Sequence, residues 1–225
     1  EALEANTTGA RNTAIGYECM TANTTGADNT AVGAYALYTN TTGINNVAMG
    51  QGALENNNGG RNVAIGLGAL QQNTTGSYNT AVGTYALDAN TTASENSAFG
   101  YNAMGKNTTG NYNTAIGRES LSENTTGVNN TAVGNHALSN STGDSNTAVG
   151  SYTGDNITSG DHNTFIGQAA GGAVTTSDGN TAVGSQALQS MTTAGQSVAV
   201  GYAALTNNTG GGNTAVGHDA MVAST

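Results

Sequence analysis

Across 225 residues there is no proline, no tryptophan, one cysteine and only four basic side chains. The missing proline is the most informative of these. Proline removes a backbone donor, so a proline-free chain rich in Gly, Asn and Thr fits a structure in which nearly every backbone N–H donates to a neighbouring strand. Arg11, Arg61, Lys106 and Arg118 stand against 14 acidic residues, for a formal charge of −10. Nucleic acid and anionic membrane surfaces both require Lys and Arg to neutralise phosphates, so neither is an expected partner. Cys19 has no internal disulfide partner and occupies a place that is Ala in most repeats, so it reads as a small buried hydrophobe. No signal peptide and no membrane-length apolar run is present. The chain opens in mid-repeat at Glu1-Ala2-Leu3 and stops in mid-repeat at Thr225. The expectation is one repeat array over 1–225, a segment of a longer protein, with no membrane contact in this segment.

Ordinary core residues are also scarce. Apolar residues make up 36%, much of it Ala, which argues against a conventional globular core, while a charged content of 8% separates the chain from typical disordered sequences. What the sequence has instead is a period. Repeats begin at Asn12, Asn29, Asn46, Asn62, Asn79, Asn96, Asn113, Asn130, Asn146, Asn163, Asn180, Ser197 and Asn213, spaced by 17 residues, or by 16 in three coils. The consensus is Asn-Thr-Ala-Val-Gly-x-x-Ala-Leu-x-x-Asn-Thr-Thr-Gly-x-x. The short coils are expected to lose a residue just before the second Asn.

The fifth position is Gly in every repeat: Gly16, Gly33, Gly50, Gly66, Gly83, Gly100, Gly117, Gly134, Gly150, Gly167, Gly184, Gly201 and Gly217. Such regularity points to a corner with positive φ or to a close approach between stacked coils. The fourth position is always apolar, from Ile15 and Val32 through Val216, and is expected to be buried. Alternation places the second and fourth positions on one face of a strand and the third on the other. A second short strand is expected around the Ala-Leu pair, as at Ala36-Leu37, with Asn-Thr-Thr-Gly as turn chemistry. Helices fail because Gly and Asn-Thr-Thr-Gly break every helical run before about ten residues.

The fold class that follows is all-β, a parallel β-solenoid of about thirteen coils. Stacking predicts one Asn ladder at the first position, interrupted only by Ser197, and a second through Asn23, Asn40, Asn73, Asn90, Asn107 and Asn124. Each coil buries little, so the array is expected to oligomerise, as a parallel homotrimer. Coils beginning at Asn146 and Asn163 depart from the pattern: Gly154 and Gly171 replace Leu, and Phe165 replaces Ala. Two readings stand, Phe165 filling volume lost twice, or a local binding feature between Tyr152 and Met191 with Asp155, Asp161, Asp178 and His162.

Asn-Thr-Ala-Val-Gly, with variants such as Asn62-Val63-Ala64-Ile65-Gly66 and Ser197-Val198-Ala199-Val200-Gly201, resembles the head repeats of trimeric autotransporter adhesins (YadA-like). Similar arrays occur in phage tail fibres and large bacterial surface fibre proteins. The resemblance implies a left-handed parallel β-roll, a homotrimer, and an extracellular, cell-surface or virion-surface location with attachment to host or matrix molecules.

No catalytic constellation is visible, and no enzyme activity, cofactor or metal is expected. His136, His162 and His218 fall at different repeat positions without a recurring partner, and the acidic residues do not recur at one position. Gly210-Gly211-Gly212 is a turn without the Lys or helix of a phosphate loop. Tyr17, Tyr35, Tyr85, Tyr101, Tyr152 and Tyr202 follow the invariant Gly by one or two residues; they read as corner packing or as exposed contacts for sugars or partner proteins. Eleven Asn-x-Ser/Thr sequons, Asn6, Asn23, Asn40 and Asn73 among them, read as turn chemistry. The expected function is a structural or adhesive extracellular fibre segment that self-associates and meets a glycan or surface receptor, with a phage tail-fibre shaft as the alternative. An ice-binding solenoid competes through its Thr arrays, against which the second-position Thr is expected to point inward.

Overall fold

The computed structural model describes residues 1–192, 195–207 and 209–222. It is all-β, a parallel β-solenoid with one three-residue strand per coil, and it divides into two units. The first, Glu1–Tyr112, holds β1 (Thr13–Ile15), β2 (Thr30–Val32), β3 (Val47–Met49), β4 (Val63–Ile65), β5 (Thr80–Val82) and β6 (Ser97–Phe99). The second, from Asn113, holds β7 (Thr114–Ile116), β8 (Thr131–Val133), β9 (Thr147–Val149), β10 (Thr164–Ile166), β11 (Thr181–Val183), β12 (Val198–Val200) and β13 (Thr214–Val216). Within each unit, strands pair in chain order and in register, so that equal repeat positions stack: Thr30 opposite Val47, Ala31 opposite Ala48 and Val32 opposite Met49.

The division of faces inverts the expectation for the core. Third-position Ala is buried, Ala31, Ala48, Ala64 and Ala81 completely, while the fourth position faces out. Ile15 is 60% exposed and Val216 is 71% exposed. The cause is the thinness of the coil. In most coils Ala and Leu of positions eight and nine and two Asn side chains are buried as well, which leaves room for a methyl and not for a branched side chain.

Among the described residues the expected second strand is absent. Positions six to eleven form a run of turns in which the seventh and ninth residues are left-handed, as at Tyr35 (φ 60°) and Leu37 (φ 51°). Turn bonds close from Ala36 N–H to Gly33 O at 3.3 Å and from Asn40 N–H to Leu37 O at 3.2 Å. The intervening amides leave the coil: Tyr35 donates to Tyr17 O of the preceding coil at 2.9 Å and Leu37 to Ala53 O of the next at 3.0 Å. A left-handed residue costs about 1–2 kcal/mol outside Gly, and here that cost is offset by inter-coil bonds an extended strand would make in a wider coil.

The invariant Gly meets both of its proposed reasons. Gly33 has φ 144°, and a Cβ there would sit closer than 3.0 Å to the carbonyl oxygen of Gly50 in the next coil.

Both Asn columns are buried apart from the end members Asn12 and Asn213 of the first, which are half-buried, and they work differently. In the first, each Oδ1 accepts the backbone N–H of the next Asn, as Asn12 does from Asn29 at 3.0 Å and Asn163 from Asn180 at 2.9 Å. The second is an amide ladder, with Asn40 Nδ2 donating to Asn23 Oδ1 at 3.0 Å and Asn90 Nδ2 to Asn73 Oδ1 at 2.8 Å. Asn57 belongs to it, donating to Asn40 Oδ1 at 3.3 Å. The short coil therefore loses its residue after the second Asn, inside the Thr-Thr turn, where Asn58 takes the place of two Thr. In the second unit the column changes to Ser141, Ile157, Val174 and Met191, all buried.

Phe165 is completely buried, and a Cβ on Gly154 or Gly171 would lie 2.9 Å or 2.7 Å from its ring. The aromatic ring occupies the space that two Leu side chains fill elsewhere. Cys19 is buried in its Ala position, its thiol donating to Ala31 O at 3.4 Å, and burial pushes its pKa up, so it stays protonated.

Candidate functional site

Three surface features are built by this geometry. The first is the strand face. In every coil the second-position Thr, Ser or Val and the fourth-position apolar residue project outward side by side. In-register pairing turns them into two parallel rows, with Ile15, Met49, Ile65 and Phe99 exposed in the first unit and Ile116, Val149, Ile166 and Val216 in the second. Sequence reasoning missed this face, though a signal was present. Stacked core positions need constant volume, and the fourth position varies from Val to Phe while the third is Ala in all coils but one.

The second feature is the tyrosine corner. Tyr17, Tyr85, Tyr101, Tyr152 and Tyr202 are exposed and Tyr35 is half-buried. They contact the neighbouring coil rather than one shared site: Tyr17 packs edge-on against Tyr35 with ring centroids 5.5 Å apart, and Tyr202 stacks on His218 at 5.1 Å. Tyr152 lies parallel to His136, 5.1 Å away with 7° between the planes. His136 Nε2 also stands 3.4 Å from Glu119 Oε2. His162 is not part of these stacks, because it sits at the seventeenth position, on another corner. Among the described residues, no group of three or more His, Cys, Asp or Glu side chains is arranged to hold a metal ion.

The third feature lies in the second unit. Against the expectation that acidic residues do not recur at one repeat position, Asp144, Asp161 and Asp178 stack in successive coils, but each is engaged by the backbone: Asp144 N–H donates to Asp161 Oδ1 at 2.7 Å and Asp161 N–H to Asp178 Oδ1 at 2.8 Å. Ser77 and Ser94 do the same work at this position in the first unit, Gly60 N–H donating to Ser77 Oγ at 3.1 Å and Ser77 N–H to Ser94 Oγ at 3.0 Å. The acidic column is thus a capping device. Further round the coil, an open groove of about 630 Å³ is lined by Glu123, Asn140, Thr142, Asn156, Thr158, Ala173 and Thr175. It adjoins a second of about 440 Å³ that shares Asn156 and Ala173 and adds Tyr152, Asp155, Ala169, Gly172, Gln189 and Ser190. Burial raises the pKa of Asp155, with backbone hydrogen bonds and His136 opposing the shift. Of the residues singled out between Tyr152 and Met191, the structure brings Tyr152 and Asp155 to this groove and places Asp161, Asp178 and His162 elsewhere.

Among the described residues, no nucleophile, base and orienting group are held within hydrogen-bond reach of one another. Each unit offers an apolar stripe and repeated polar corners, and the second unit adds the groove at Asn156 and Ala173. Comparison of the chain with family models, with curated proteins and with solved structures finds no match.

Proposed function

We propose that the chain is a structural, adhesive segment of an extracellular fibre, on a cell or virion surface, that assembles as a parallel homotrimer through its strand face. One observation carries the reading: a row of Ile, Val, Met and Phe side chains lies exposed along each unit. Monomeric proteins rarely expose contiguous apolar surface on this scale. The row is only two residues wide, and three such stripes converging on one axis cover one another, each touching two neighbours, whereas a flat pairing of two would leave the Thr edge and the apolar edge unequally covered. Burying these side chains contributes about 1.5–3 kcal/mol for each one fully removed from water, which supplements the thin Ala and Leu interior of the single coil. The acidic, polar corners then remain outside, available to partners. The test is mass photometry or sedimentation of the intact chain beside an Ile65→Asp, Ile166→Asp variant. A trimer that dissociates in the variant is expected; a stable monomer with unchanged melting on mutation refutes the assembly.

A second reading gains from the outward second position. The Thr rows that were expected to point inward face solvent next to the apolar row, as an ice-ordering surface requires. Met49 and Phe99 break its flatness, and thermal hysteresis measured on the purified chain separates the two: activity lost in Thr80→Tyr would favour ice binding over assembly.

A further inference from the structure

The repeat is broken at the ninth position of the coils beginning at Asn146 and Asn163, and the break leaves a groove. In the coils beginning at Asn146 and Asn163 the ninth residue is Gly, and the tenth and eleventh residues of the latter coil shrink to Gly172 and Ala173. Phe165 refills the interior behind them. The surface is not refilled, and the two adjoining openings lie there, sharing Asn156 and Ala173.

The polar groups along this groove are mostly acceptors. Asn140 Nδ2 donates to Asp155 O at 2.6 Å and Asn156 Nδ2 to Gly172 O, so both side-chain amides commit N–H to the next coil. Thr142 and Thr158 commit their hydroxyl hydrogens to Thr158 O and Thr175 O, at 2.9 and 3.1 Å. What these side chains still offer is chiefly amide oxygen and hydroxyl lone pairs, with the second N–H of the Asn140 amide as a donor and that of Asn156 turned toward Asp155 Oδ1 at 3.5 Å, beside the carboxylates of Glu123 and Asp155. An acceptor-rich groove suits a donor-rich ligand.

One wall is aromatic. Tyr152 is 47% exposed and its ring is held by parallel stacking on His136, next to the small apolar floor of Ala169, Gly172 and Ala173. A flat ring above an apolar floor with polar groups along the rim fits the C–H face and the hydroxyl edge of a pyranose. Charge narrows the class. No Lys or Arg lines either opening, two carboxylates do, and the chain as a whole carries −10, so sulfated and sialylated chains are disfavoured.

We propose that this groove binds an uncharged, hydroxyl-rich saccharide chain, with Tyr152 as the stacking platform and Asn140, Asn156, Asp155 and Glu123 accepting sugar hydroxyls. The assignment names a ligand class for the adhesive reading above and rests on it.

The intact 225-residue chain is screened on an array of neutral, sialylated and sulfated oligosaccharides, and the neutral ones that bind are titrated calorimetrically. Ala173→Gln fills the groove with the residue type that Gln72 places at the equivalent point of another coil, and Tyr152→Ala removes the platform. Tyr85→Ala, at the same repeat position in the first unit, is the control. Neutral saccharide binding is expected, weakened at least about tenfold by A173Q and Y152A and unchanged by Y85A, with far-UV circular dichroism retained. If A173Q alone disturbs folding, Y152A decides. The assignment is overturned by no neutral binding, by binding confined to anionic glycans, or by wild-type affinity in both groove variants. Assembly and surface attachment that survive in those variants would leave the adhesive reading standing while this groove falls; a wild-type chain that neither assembles nor attaches would remove both.

Discussion

Asn29 and Asn40, eleven residues apart in one coil, donate their side-chain amides to the same acceptor, the carbonyl oxygen of Gly43, at 2.9 and 3.2 Å. The two bonds tie the start of the strand and the start of the Thr-Thr turn to one point. The arrangement recurs at Gly59, held by Asn46 at 3.0 Å and Asn57 at 2.9 Å, and at Gly76, held by Asn62 and Asn73, both at 2.9 Å. Where the second Asn is missing the clamp is half made: Gly143 O accepts from Asn130 at 2.8 Å, while Ser141 Oγ is buried without a partner among the described residues.

Ser141→Asn should therefore stabilise the protein. The coil of Ser141 is a short one, and Asn57 shows that a short coil accommodates Asn at this point with both its ladder and clamp bonds. Supplying one or two buried hydrogen bonds and removing an unsatisfied hydroxyl is worth about 1–2 kcal/mol. A rise of a few degrees in melting temperature checks it, and no rise would refute the gain assigned to the completed clamp.

The clamp also marks how far sequence reading reaches. The period, the parallel stacking, the first Asn column and both reasons for Gly33 were legible, because in-register stacking converts each repeated residue into a column. The inside and outside of the strand were not. Val32 and Ala31 are both apolar, and only the width of the coil decides that the methyl goes in and the isopropyl out. The Ala-Leu segment misled for a related reason: Leu37 is an apolar residue in a left-handed conformation, and propensity alone never favours that choice. The groove was legible only as an irregularity at Gly154, Phe165 and Gly171, since its lining comes from successive coils whose variable positions carry no shared pattern.

Gly83→Ala should be among the most damaging single changes in the first unit. Gly83 has φ 140°, and an added Cβ would fall closer than 3.0 Å to backbone atoms of Gly100 in the following coil. Strain and collision combine, and backbone cannot swing aside as a side chain can, so a loss of about 3 kcal/mol or more is expected. By contrast Gly52→Ala, at a left-handed site that other coils fill with Tyr35 or Glu18 and where a Cβ meets side-chain atoms at 3.3 Å, should cost about 1 kcal/mol. Denaturant melts of the two variants give the ranking, and equal losses would refute the close-approach argument.

Phe165→Ala should open a cavity and cost about 3–5 kcal/mol. Gly171→Leu alone should also destabilise, since its Cβ would lie 2.7 Å from the Phe165 ring. Together they restore the pattern of the other coils, Ala inside the strand and Leu at the ninth position, so the double variant should be more stable than either single one. The coupling is measured by a double-mutant cycle, and additive losses would mean that the ring and the two Gly positions do not share one volume.

Asp88 predicts the pH response. Its Oδ1 is buried without a partner among the described residues, and burial raises its pKa above the ordinary carboxylate value. The folded chain thus holds this proton more tightly than the unfolded chain does, so its contribution to stability is present below the unfolded pKa and is lost as pH rises through the folded one. Asp88→Asn keeps the shape without the charge. It should leave melting unchanged near pH 3 and raise it near pH 7, by no more than about 2 °C because the site is half-exposed and water screens part of the penalty. Thermal melts of both proteins at the two pH values decide it. Should the variant melt lower at neutral pH, the carboxylate would be accepting a stabilising bond, and burial would not be what governs it.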